Sequence, residues 1–403
     1  MLDAYIYDGI RSPIGRHAGK LAAVRPDDLA GEVIAEVVRR NRIEPDEIAD
    51  VVLGCVTQAG EDCRNVARFA ALMAGLPPTV PGVTVNRLCA SGLQAVVDAA
   101  RAVSVGEGDL YIAGGVESMS RAPYVIGKAE TPYSRDVKMY DTTIGSRFTN
   151  PRFARLYGDH SMPQTGDNVA REFGITREES DAFALASQKK YARAEAEGFY
   201  RGEIHPIRLP AKKKDATPEV VDTDEHPRRE TTLEGLAKLK PLFEGGVVTA
   251  GNASGVNDGA AALVVASRRW GEKRAQAPLA RILAAASAAV EPRIMGVGPA
   301  YAIPRALERA GLALEDMDII EINEAFASQV LGCLKLMGVA FDDPRVNPNG
   351  GAIAIGHPLG CSGARLALTA ARELQKSGAR YAAVSLCIGV GQGLAVILER
   401  VKS

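Results

Sequence analysis

One strand–helix–strand unit occurs twice in this chain, and that repetition limits the folds open to it more than any other feature. In the first copy, Val83-Thr84-Val85 leads into Cys89-Ala90-Ser91-Gly92, a helical run follows from Ala95 to Val105, and Leu110 to Gly115 is an apolar strand. In the second, Val346 precedes a glycine-rich loop, a helix runs from about Ser362 to Leu374, and Tyr381 to Leu386 is a strand. A shift of 271 residues lays Ser91-Gly92 on Ser362-Gly363 and Ala100-Arg101 on Ala371-Arg372. A duplicated α/β architecture is the expectation.

At 403 residues the chain exceeds one ordinary core, so more than one domain is expected. The α/β rhythm fades between residues 121 and 249, where the run Lys212-Lys213-Lys214-Asp215 and the turn-rich stretch from Thr217 to Pro227 read as a surface excursion. A helix from Arg177 to Ala196 is expected there, with Thr176 as N-cap and Glu179 closing a capping box. The apolar strand pattern returns between Gly251 and Ala266. The division is therefore 1–120 plus 250–275 for the first half, 121–249 for an inserted loop domain, and 276–403 for the second half.

Charge narrows the function. Lys plus Arg number 48 against 49 Asp plus Glu, so no overall basic field draws in nucleic acid, and an anionic ligand must be held by local groups. No apolar run approaches the ~20 residues of a spanning helix, which excludes a membrane partner. The start MLDAYIYDGIR lacks a secretory pattern and the end Val401-Lys402-Ser403 is no peroxisomal address, so a cytoplasmic location is expected. Six cysteines (55, 63, 89, 333, 361, 387) show no C-x-x-C pair, which points to reduced thiols rather than a zinc site or a disulfide framework.

Two of these cysteines occupy matching places. Cys89 stands between an apolar strand and a glycine-marked helix start, where main-chain N–H groups and the helix dipole are expected to favour a thiolate. Cys387 ends the strand from Ala382 to Leu386 and opens Cys387-Ile388-Gly389-Val390-Gly391-Gln392-Gly393, which is no dinucleotide loop because Leu394 to Leu398 continues as a strand. An isolated cysteine is more often a small buried apolar residue; the paired strand-end placement is what favours chemistry. His357 lies in Asn347 to Gly360, a loop with four glycines, and Pro358 restricts it to extended geometry. Asn323 and Glu324 follow the strand Met317 to Ile320. All of these could converge at one crevice.

These blocks together resemble the thiolase family. NRLCASG around Cys89, NEAF at 323–326, GGAIAIGHPLGCSGAR at 350–365 and CIGVGQG at 387–393 look like its four signatures. Further similarity runs through AGGVESMSRAP at 113–123 and TAGNASGVNDGAA at 249–261, so the resemblance spans nearly the whole chain. Small departures are Ala90, where glycine is common, and Cys361, where other small or apolar residues are common. The resemblance implies a thiolase-like α/β fold, with two duplicated mixed-sheet halves packed in layers and an inserted loop domain.

It also implies a reaction: acyl-CoA:acetyl-CoA C-acyl transfer through an acyl group on Cys89, with His357 taking the Cys89 proton and Cys387 as acid and base. The implied oxyanion sites are the amides of Cys89 and Gly389 for the acyl-enzyme, and His357 with a water held by Asn323 for the enolate. Glu324 is expected to orient its neighbours. Ser254 is implied near the pantetheine of CoA and Arg228 near its adenosine end. CoA is a co-substrate; no permanent cofactor and no metal are implied, and a homodimer or homotetramer is expected.

GEDCRNVAR at 60–68, YDTTIGSRFTNP at 140–151 and the CIGVGQG ending resemble thiolases acting on 3-oxoadipyl-CoA. Such a substrate carries a terminal carboxylate, for which Arg147 or Arg152 is the expected partner. The alternatives are an acetoacetyl-CoA thiolase or a general 3-ketoacyl-CoA thiolase and, from other classes, a cysteine-dependent thioester hydrolase, a ketosynthase or a non-catalytic CoA-binding module. A hydrolase would give Cys387 no task.

Overall fold

In the computed structural model, residues 2–211 and 218–401 are described; the Lys212 to Asp215 run lies outside them. Nine strands form one continuous path. In chain order they are β1 (Ala4–Arg11), β2 (Asp50–Gly54), β3 (Gly82–Val85), β4 (Leu110–Ser118), β5 (Asn257–Ala266), β6 (Ala280–Ala289), β7 (Ile319–Ile322), β8 (Tyr381–Ile388) and β9 (Gln392–Arg400). Their order across the sheet is β7-β8-β9-β6-β1-β5-β4-β2-β3, with Gly15–Arg16 adding a short strand beside β5.

Outward from the central β1–β6 pair, the two halves repeat the same directions. β1–β5 and β6–β9 are antiparallel, as are β5–β4 and β9–β8. β4–β2 and β8–β7 are parallel, and so are β2–β3 and the bridge from Ile320 to Val346. The 271-residue offset also carries Leu110, which opens β4, onto Tyr381, which opens β8. The sheet is thus mixed and duplicated.

Period-two alternation feeds separate cores. Ala261, Leu263 and Val265 of β5 point into a central core, while Ala260, Ala262 and Val264 point outward. In β9, Leu394, Val396 and Leu398 point inward while Ala395 and Ile397 point outward. The central core holds the helices α3 (Ser91–Val105) and α8 (Leu359–Ser377), packed on each other between the two halves. Outside the first half lie α1 (Pro26–Arg40) and α2 (Val66–Met73); outside the second lie α6 (Gly298–Ala310) and α7 (Ala327–Met337). The layers run helix, sheet, helix, sheet, helix. One correction follows: Leu88–Val105 reaches a mean hydropathy of 1.2 over 18 residues, enough by length and composition for a membrane span, yet it is apolar because it lies in this central layer.

The α3–α8 contact is made by main chain. A Cβ on Gly363 would lie 2.7 Å from Leu93 Cβ and closer still to the Leu93 nitrogen, and one on Gly92 would meet the Gly360 carbonyl and lie 3.0 Å from the Ala364 nitrogen. Gly54 and Gly115 press on the same helix starts. The residues matched by the repeat are therefore those where the repeated helices touch.

Between Arg121 and Thr249 the chain forms a hairpin (Tyr124–Ile126 with Met139–Asp141), a short helix (Pro151–Tyr157), α4 (Met162–Phe173) and α5 (Arg177–Ala196). The capping box forms as expected: Glu179 N donates to Thr176 Oγ1 at 3.1 Å and Thr176 N to Glu179 Oε2 at 2.7 Å. Val169, Ala170, Phe183 and Ala184 join the outer core of the second half. On the other side, fully buried Arg11 of β1 donates to Glu203 at 2.6 Å and to both oxygens of Asp224 at 2.7 and 2.9 Å.

Gly363→Ala is expected to cost about 3 kcal/mol of unfolding free energy, because the new methyl meets backbone that cannot yield. Gly378→Ala, with φ of +74° but open space around it, should cost only about 1 kcal/mol. Urea unfolding of both variants checks this; equal losses would mean that the helices separate freely.

Candidate active site

The helix contact brings four separated segments to one place. Leu88 Cδ1 lies 3.2 Å from where a Cβ of Gly389 would stand, so the loop before α3 rests on the β8–β9 turn. The Gly389 and Cys89 amides lie near enough to the Cys89 sulfur to favour its charged form, and the Cys89 charge acts on Cys387. Asn323 N donates to the Ser385 carbonyl at 2.9 Å, which fixes it beside β8. Its Nδ2 lies 3.3 Å from His357 Nε2. Asn323 thus links His357 to the strand that ends at Cys387, and Cys387 lies near Cys89.

His357 is held on three sides. Its main-chain N–H donates to Asn257 Oδ1 at 2.9 Å, and Asn257 Nδ2 donates to the Gly15 carbonyl at 2.9 Å. Its Nδ1 lies 2.6 Å from Ser362 Oγ, whose hydroxyl donates to the Pro358 carbonyl at 2.9 Å. With that hydroxyl proton committed, Nδ1 carries the imidazole proton and Nε2 is the basic nitrogen, its lone pair toward Asn323 Nδ2. Asn323 Oδ1 is buried and accepts nothing from the protein among the described residues.

Glu324 braces the glycine-rich loop. It accepts from Ser187 Oγ at 2.6 Å, Asn347 Nδ2 at 2.8 Å and Ile353 N at 3.1 Å. Asn347 in turn pairs with both main-chain groups of Ile322, extending the parallel ladder through its side chain. On the other flank, buried Glu117 accepts from Val56, Thr57 and Gly360 main-chain N–H groups, which ties the first turn of α8 to the first half.

Burial sets the protonation states. It pushes the Cys89 thiol up to about 11, against the pull of the Gly389 and Cys89 amides, and pushes Cys387 well above its ordinary value. Desolvation outweighs the amides, so the helix start favours the thiolate without making it the resting form, and the thiol still has a proton to give to His357. His357 is lowered to about 3 by burial and then by the charge of Arg365. Both thiols and the imidazole are thus neutral at rest. Met295, Ala325, Phe326 and Val248 form an apolar cluster with Cys387, and Met162 packs against it.

Ser254 lies at this edge, its N–H donating to the Ala325 carbonyl at 2.9 Å. Arg228 is exposed, and its N–H donates to Gln188 Oε1 at 2.9 Å. Arg147 Nη1 reaches the Thr142 and Gly145 carbonyls at 3.5 Å, and Arg152 is exposed on the short Pro151–Tyr157 helix. Neither arginine touches the cysteines or His357. Ser362, Asn257 and Glu117 were not singled out by sequence reasoning, although each lies within a quoted block. For Ser362 a signal existed: it stands five residues after His357, in the first turn of the helix that follows.

Two family models match the chain, "Thiolase, N-terminal domain" over residues 4–269 and "Thiolase, C-terminal domain" over residues 276–400. The chain is 58% identical over 403 residues, all of both chains, to the 3-oxoadipyl-CoA/3-oxo-5,6-dehydrosuberyl-CoA thiolase of Escherichia coli strain K12. It is 44% identical over 397 residues, 98% of each chain, to an acetyl-CoA acetyltransferase of Allochromatium vinosum. The crystal structure of the Bacillus anthracis acetyl-CoA acetyltransferase superposes with a TM-score of 0.92 at 40% identity, covering 100% of this chain and 99% of that one.

Glu321 of β7, two residues before Asn323, yields a pH prediction. Among the described residues neither of its oxygens is partnered, nor are the Nη1 and Nη2 of buried Arg365, and burial raises Glu321 from 4.5 to about 8 despite the Arg365 charge. A carboxyl raised in the fold contributes most below its unfolded value, so stability falls as pH climbs from about 4.5 toward 8. Glu321→Gln should remove that slope, changing the wild-type-minus-variant difference by on the order of 4 kcal/mol between pH 5 and 8. Denaturation at several pH values checks this, and a constant difference would sink it.

Proposed function

The chain belongs to the thiolase family, and from that premise we propose that it cleaves 3-oxoadipyl-CoA with CoA into acetyl-CoA and succinyl-CoA. The family acts on CoA and its thioesters. Full-length identity of 58% to a thiolase named for 3-oxoadipyl-CoA, against 44% to an acetyl-CoA acetyltransferase, supports that substrate over acetoacetyl-CoA. What supports the mechanism is that Asn323 joins His357 Nε2 to the strand end that carries Cys387, with Cys387 near Cys89.

Cys89 gives its proton to His357 Nε2 and attacks the C3 ketone. The resulting oxyanion is held by the amides of Cys89 and Gly389, each worth ~3 kcal/mol when the site is preorganised. The C2–C3 bond breaks, and the enolate of acetyl-CoA takes a proton from Cys387 at C2. Protonated Nε2 is now a donor, and with Asn323 it steadies the enolate oxygen. Cys387 then takes the proton of incoming CoA, whose thiolate attacks the thioester. Cys89 leaves as thiolate and recovers its proton from His357. No charge persists on the protein between turnovers, in keeping with groups that burial keeps neutral.

The same reading gives Ser254 and Arg228 to CoA, and Arg147 or Arg152 to the terminal carboxylate. It holds no permanent cofactor or metal. It includes a homodimer or homotetramer, and a cytoplasmic location, which the six free cysteines support.

Mixing enzyme with 3-oxoadipyl-CoA in the absence of CoA should release one equivalent of acetyl-CoA and leave a succinyl adduct on Cys89. Steady turnover to free acid would instead establish a hydrolase. Cys387→Ala should lower kcat by roughly 10³-fold. For the carboxylate, Arg147→Ala or Arg152→Ala should lose roughly 10–100-fold in kcat/KM for 3-oxoadipyl-CoA and little for 3-oxohexanoyl-CoA. If neither variant separates the two substrates, the arginine assignment is wrong.

A further inference from the structure

The two amides at the Cys89 sulfur come from different halves of the protein, and each lies beside a residue in an unfavourable backbone conformation. Leu88, just before Cys89, has φ of +46°; Val390, just after Gly389, has φ of +66°. Left-handed geometry is uncommon for any side-chain-bearing residue and an outlier for a β-branched one. Such loops keep their shape only where surroundings impose it. Leu88 Cδ1 against Gly389 stops the two loops from closing further. Packing of that kind resists approach but not separation.

Separation is resisted by one side-chain bond. Arg87 Nη1, two residues before Cys89, donates to Gln392 Oε1, three residues after Gly389, at 3.2 Å. Among the described residues no other side-chain hydrogen bond joins residues 86–89 to residues 388–392. The Arg87 main chain is itself fixed, its N–H donating to Ser91 Oγ at 2.9 Å, and Gln392 is fixed by its pairing with Ile388 in the β8–β9 hairpin. Arg87 and Gln392 border an open concavity with Asn86, Leu88, Gln94 and Asp98. Asp98 is already taken by Gln94 at 2.6 Å and Arg101 at 3.2 Å.

We propose that Arg87 and Gln392 are positioning residues, a tie between the halves that sets the spacing of the Cys89 and Gly389 amides and so the strength of the oxyanion site. The tie touches neither the sulfur nor the substrate, and acts through Leu88 on one side and the Gly389–Gly391 turn on the other. It rests on the acyl-enzyme reading above. A loosened tie weakens a donor pair without deleting it, so the loss should fall short of the 10²–10³-fold of a removed donor.

The test compares Arg87→Met, Gln392→Leu, their double variant and Gln392→Glu in the full-length enzyme. Each of the first two should lower kcat roughly 10–100-fold with little change in KM, and the double variant should be no worse than the poorer single one. Gln392→Glu keeps an acceptor for Arg87 and should retain near wild-type kcat. Iodoacetamide alkylation of Cys89, which forms no oxyanion, should proceed at the wild-type rate in all four. Additive losses, losses in KM, slowed alkylation, or a Gln392→Glu variant as poor as Gln392→Leu would each overturn the proposal. Wild-type enzyme forming no adduct on Cys89 would instead defeat the acyl-enzyme reading.

Discussion

Everything at the crevice depends on α3 and α8 meeting backbone to backbone. Side chains usually hold packed helices 8–10 Å apart; here Gly92 and Gly363 bring the helix starts closer than that spacing comfortably allows. The loop with Cys89 enters α3 and the loop with His357 enters α8, so the helix contact sets where both loops begin. Strand ends complete the arrangement. β7 delivers Asn323 and β8 delivers Cys387, because each strand stops at the rim of the layer that holds the helices.

Burial governs the chemistry as firmly as geometry does. A desolvated thiolate or imidazolium is expensive to maintain, and the fold answers by keeping both thiols and the imidazole uncharged at rest. Charge then exists only while substrate atoms share it. Ser362 makes this workable: by accepting from Nδ1 it leaves Nε2 free to gain a proton and later return it.

Much of this was legible in the sequence. The Ser-Gly match at 91–92 and 362–363 fell on the helix contact itself, because duplicated helices that touch must keep the same small residues at the touching turn. Thr176 and Glu179 announced α5 because capping is local, a matter of residues three apart. What stayed hidden was tertiary. Asn257 reaches His357 across 100 residues, and Glu117 reaches Gly360 across 243, distances that no periodicity encodes. The desolvation of Cys89 stayed hidden for the same reason, since a helix start is visible in sequence and the walls around it are not. The hydropathy of α3 was read piecewise, where its place between the two halves of the sheet calls for an apolar stretch whose only long polar side chains are Gln94, Asp98 and Arg101.

The position of β5 has a consequence for biosynthesis. This strand lies between β1 and β4, yet it is made only after the whole intervening segment, about 140 residues beyond Ser118. At ribosomal rates of about 5–20 residues per second, the first half waits roughly 7–28 s with two bare strand edges. Exposed edges invite pairing with other chains. The nascent protein is therefore most exposed to aggregation while the segment between β4 and β5 emerges, and a chaperone that shields strand edges in that interval would serve it best.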